Sequence, residues 1–149
     1  MNPLQQESSY ELIEDHKDYL CGKISDNVCA AFFRVAQKYP EVLAWSEDGI
    51  NRSYAELDAK VQEWQASLQS LRVGLGDRVL IQTSSAWECV SCMLACLAEG
   101  VVYVVLPAEV LSEYIHWMIQ DVRPAAVVSD VERNPFKNII RLQPTLGAR

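Results

Sequence analysis

Cys89, Cys92 and Cys96 are spaced by three and four residues, which lines them along one face of a helix, where soft thiolates can gather zinc or an iron–sulfur cluster. Their surroundings argue against it. Val90, Met93, Leu94 and Leu97 make the segment apolar, and the two histidines, His16 and His116, lie far along the chain. Free cysteine in such a setting packs as a small hydrophobe, so core packing is expected and no metal ligand is assigned. Phosphate chemistry is the second possibility. Ser84-Ser85 lacks the glycines that let backbone N–H groups approach a phosphate. Gly74-Leu75-Gly76 precedes an expected strand instead of opening a helix, so it is no dinucleotide fingerprint. Tyr54 and Glu56 read as helix-start structure, and Gly74, Gly76 and Gly100 as backbone devices. Asp77-Arg78 reads as a local ion pair of small worth. No residue is assigned as catalytic, cofactor-binding or metal-binding.

The elements that would position such groups follow from composition and periodicity. The 149 residues are 50% hydrophobic and 22% charged, enough apolar material for a core and too little charge for a disordered chain. Twenty acidic against thirteen basic side chains leave a net charge of −7 without a basic cluster, which argues against nucleic acid and anionic membranes as partners. The N-terminus has neither a basic n-region nor an apolar h-region, and five cysteines are an odd number, so a cytoplasmic protein with reduced thiols is expected. Cys89 to Ala108 contains only Glu99 as a charge. The change at Glu99-Gly100 from small residues to a β-branched run reads as helix, turn and strand instead of a membrane span.

Residues 1–24 read as a polar arm with a short helix near Tyr10 to Tyr19. Ser25 or Asp26 is placed to cap a helix with Val28, Ala31, Phe32, Val35 and Ala36 on its apolar face, ended by Pro40. Val42 to Trp45, the turn Asp48-Gly49 and Ile50 to Arg52 form a hairpin. Ser53-Tyr54-Ala55-Glu56 is a capping box opening a long helix, with the stripe Leu57, Val61, Trp64, Leu68 and Leu71 and a left-handed stop at Gly74. Arg78 to Gln82 is a strand. Ser84 or Ser85 caps the cysteine helix, Gly100 closes it, and Val101 to Leu106 is expected as a strand buried on both faces. Ser112 opens a helix carrying Tyr114, Ile115, Met118, Ile119 and Val122, which Pro124 stops, and Ala125 to Ser129 is a further strand. Trp64 and Trp117 are both expected in the core. Alternating strands and helices imply right-handed crossovers and a parallel sheet, giving an α/β domain over 25–130 with an N-terminal helix and hairpin and an irregular tail at 131–149.

Ser53-Tyr54-Ala55-Glu56-Leu57, then Arg72-Val73-Gly74-Leu75-Gly76-Asp77-Arg78-Val79, then Leu97-Ala98-Glu99-Gly100 with Tyr103-Val104 and Leu106-Pro107 resemble, in order and spacing, the opening motifs of the adenylate-forming superfamily. These are the acyl-CoA synthetases and the adenylation domains of nonribosomal peptide synthetases. Ser112 to Val122 followed by Ala125 to Asp130 is similar to the next family element. The resemblance covers residues 26–130, the first quarter of a complete member. It implies the start of a large N-terminal α/β domain and an ancestry in enzymes that adenylate amino or other carboxylic acids.

Several features depart from the family pattern. Val105 and Pro107 stand where peptide-synthetase domains usually carry Pro and then Asp, so the turn after that strand is expected to differ. The resemblance also implies ATP and magnesium, held by a Ser/Thr/Gly-rich loop ending in Lys, a Thr-Glu pair, a ribose-binding Asp and a lid Lys. The 149 residues contain no counterpart of these, so no cofactor is expected for this chain alone and no catalysis without phosphate neutralisation. Two readings stay open: a truncated or split N-terminal piece of an acid ligase, and a docking module built on an adenylation scaffold. The partners expected are the remainder of an adenylating enzyme, a carrier protein or a second copy. An independent nucleotide-binding domain is disfavoured for want of a Gly-rich strand-to-helix turn.

Overall fold

The computed structural model describes residues 28–110, 112–130 and 139–141. The arm at 1–24 and the cap at Ser25 or Asp26 lie outside the described residues. The chain divides into two compact units, one ending at Ala59 and one beginning at Lys60.

In the first unit, α1 (Val28–Lys38) ends just before Pro40, whose ring disfavours helical geometry at the preceding Tyr39. Burial on α1 falls on Cys29 and Ala36, while Val28 is 57% exposed. The apolar face is therefore rotated from the expected one, with Ala31, Phe32 and Val35 half-buried. Strands β1 (Leu43–Glu47) and β2 (Ile50–Ser53) pair antiparallel. Asp48 and Gly49 both adopt positive φ, 49° and 78°, the geometry whose twist matches a two-residue hairpin. The capping box forms in both directions: Ser53 N–H donates to Glu56 Oε2 at 2.7 Å, and Glu56 N–H donates to Ser53 Oγ at 3.3 Å. It opens α2 (Tyr54–Ser70), and the division between the units falls within this helix.

The α2 stripe is buried at Leu57, Val61, Trp64 and Leu68, whereas Leu71 is 37% exposed. The helix stops earlier than expected. Arg72, φ 58°, is the left-handed residue; its N–H donates to Gln69 O, and Val73 N–H donates to Leu68 O. This is a Schellman closure with an arginine in the position glycine usually takes, and Gly74 lies beyond it. The remaining elements are β3 (Arg78–Gln82), α3 (Ala86–Glu99), β4 (Val102–Leu106), α4 (Ser112–Val122), β5 (Ala126–Ser129) and β6 (Ile139–Arg141). The strands form one sheet in the order β4-β3-β5-β6, every pair parallel. Residues 139–141, expected as irregular chain, thus add a strand beside β5.

Helix α4 covers one face of the sheet, packing Met118, Ile119 and Val122 against Leu80, Leu106 and Val127. On the other face Val79, Ile81 and Val128 are fully buried, and α3 packs along β3 and β4. Helix α2 is tied to α3 by Trp64 Nε1–H donating to Ser91 Oγ at 3.1 Å and by Lys60 Nζ to Glu88 at 3.1 Å. The strands buried on both faces are β3 and β5. Strand β4, expected to be so, lies at the sheet margin with Val102 51% and Val105 45% exposed. An apolar run carries no mark that separates a central strand from an edge awaiting a neighbour.

Candidate functional site

Strand β3 is followed in sequence by its neighbour on one side, β4, and the chain then crosses to the other side as β5. The carboxyl ends of β3 and β5 therefore flank a topological switch point, the place where open parallel sheets form binding crevices. In this chain it is built from Gln82, Thr83, Ser84 and Ser85 after β3, and Ser129 and Asp130 at the end of β5.

One carboxylate organises the crevice. Asp130 Oδ2 accepts from Thr83 Oγ1 at 3.0 Å, from Ser84 N–H at 2.8 Å and from Ser84 Oγ at 2.7 Å. Desolvation pushes the Asp130 carboxyl up, but the hydrogen bonds from Ser84 and Thr83 outweigh it, so the net shift is below the usual carboxylate value. Ser85 is the α3 N-cap and accepts from Glu88 N–H at 3.2 Å. Gln82, 1% exposed, donates through Nε2 to Ala108 O at 3.2 Å, and its Oε1 has no hydrogen-bond partner.

This donor set does not fit a nucleotide phosphate. The hydroxyls and the backbone N–H that would face an anion already serve Asp130, whose own charge repels one, and the unpaired atom at Gln82 is an acceptor that calls for a donor. No group of three or more His, Cys, Asp or Glu side chains able to hold a metal occurs among the described residues. No step of ATP chemistry is assigned to these side chains.

The residues weighed from sequence resolve as follows. Cys92 and Cys96 are fully buried and Cys89 half-buried, all as free thiols. A hydrogen bond shared with Cys96, then burial, pushes the Cys92 thiol far up, which keeps it from the thiolate form that binds metals. Tyr54 and Glu56 open α2, as expected. Gly76 and Gly100 take positive φ, 82° and 68°; Gly100 closes α3, and Gly74 does not serve as a helix stop. Asp77 and Arg78 part company. Asp77 Oδ2 accepts from Gly74 N–H, and Arg78 donates to Val122 O at 2.6 Å and Arg123 O at 3.2 Å, neutralising the negative end of α4. Trp64 is buried, but Trp117 is 56% exposed and stands beside Tyr114, ring centroids 5.8 Å apart. Sequence reasoning missed the Asp130 clamp, because its partners lie 46 and 47 residues away and carry no periodic signal.

Comparison with known proteins adds to this geometry. Residues 32–148 match the family model described as AMP-binding enzyme. The chain is 30% identical over 139 residues to a salicyl-AMP ligase / salicyl-S-ArCP synthetase of Mycobacterium tuberculosis, covering 86% of this chain and 24% of that protein. It is 32% identical over 103 residues to a 2-hydroxy-7-methoxy-5-methyl-1-naphthoate–CoA ligase of Streptomyces carzinostaticus, covering 66% of this chain and 18% of that protein. In fold it is similar to NpsA-ThdA, an artificially fused adenylation-PCP di-domain NRPS from Klebsiella oxytoca, with TM-score 0.70, 24% identity and coverage of 76% of this chain and 22% of that one. The chain spans about a quarter or less of the length of these relatives. With an α/β fold of matching topology and a family match over most of its length, the chain belongs to the AMP-binding enzymes, and corresponds to the N-terminal portion of them.

Proposed function

We propose that these 149 residues are the opening scaffold of an AMP-forming acid ligase and do not adenylate by themselves. The observation that carries this reading is the crevice at the β3/β5 switch point, where the Thr83 and Ser84 hydroxyls and the Ser84 N–H are all held by Asp130. Electrostatic stabilisation of the phosphates dominates this kind of chemistry, so the groups that supply it lie outside these 149 residues. The partner this implies is the remainder of an adenylating enzyme. The substrate class is a carboxylic acid, in line with the aryl acids named for two of the relatives.

A second reading, a non-catalytic docking module that meets a carrier protein, is favoured by the exposed Tyr114–Trp117 pair on α4. Calorimetric titration of the 149-residue chain with ATP and magnesium tests the first. No saturable binding is expected, and saturable binding that a Asp130→Ala substitution abolishes would overturn it. Retention of a carrier protein on the immobilised chain, lost in Trp117→Ala, would favour the second.

A further inference from the structure

We draw no further inference here: the strongest candidate, the buried Gln82 side chain at the carboxyl end of β3, whose Oε1 accepts no hydrogen bond, belongs to the crevice already described, and a single unpaired acceptor names no class of ligand.

Discussion

Trp64 shows how one side chain ties helix to helix. It is 4% exposed, and its indole N–H finds Ser91 Oγ, so it buries a large apolar area without leaving a donor unpaired. Trp64→Ala should cost about 3 to 5 kcal/mol. Glu63→Ala, which removes a surface pairing with Lys60 at 3.2 Å, should stay within about half a kcal/mol. Chemical denaturation of both variants makes the comparison, and equal small losses would mean that the stripe does not pack. The cysteines offer a kinetic test. Cys92 and Cys96, both fully buried, should react with a thiol reagent only on global unfolding, whereas the half-buried Cys89 should react from the native state; fast native-state labelling of Cys92 would contradict the packing. Asp130 supplies a pH dependence. Its folded-state pKa is lowered, so the stability it contributes is present above the unfolded carboxylate value of about 4 and is lost as pH falls through the lowered value. Asp130→Asn should flatten this acid limb of the stability curve, and an unchanged limb would show that the clamp is inert. At this scale the sequence made the cysteines and Trp64 legible, because helical spacing alone places them. Trp117 was not legible: it shares α4 with core residues, but its place on the turn faces solvent.

Among the elements, most local signals whose partners lie within a few residues proved reliable, the stop of α2 excepted. The Asp48-Gly49 turn, the Ser53/Glu56 capping box, the Ser85 N-cap and the Gly100 stop all form as their residue types require. Where a longer-range competitor exists, the nearest candidate loses. Arg78 leaves Asp77 for the carbonyls ending α4, since a helix terminus offers acceptors with a converging dipole. The α2 stop moved from Gly74 to Arg72 because the Schellman bonds of Arg72 and Val73 to Gln69 and Leu68 bury Val73, which is 4% exposed. That places a β-carbon in left-handed geometry. Arg72→Gly should relieve it and raise stability by up to about 1 kcal/mol, measured as an upward shift of the thermal midpoint; a loss of stability would show that the arginine side chain does more than end the helix.

For the whole molecule, the alternation of strands and helices and the ordered motifs made the parallel sheet and the family legible from sequence, while the strand order was not. Nothing in an apolar run tells whether the strand lies inside or at the margin, so β4 was misjudged, and β6 lay in a stretch without periodicity. The crevice at the switch point was equally hidden, because it joins residues far apart in the chain. What emerges is a scaffold that carries the family's architecture with a site closed upon its own carboxylate. The central claim is that this scaffold performs no adenylation alone, and acid-dependent ATP–pyrophosphate exchange tests it most directly. Purified chain supplied with ATP, magnesium and a panel of aryl, amino and fatty acids should show no exchange above background; exchange that follows this chain through purification and depends on a particular acid would contradict the account.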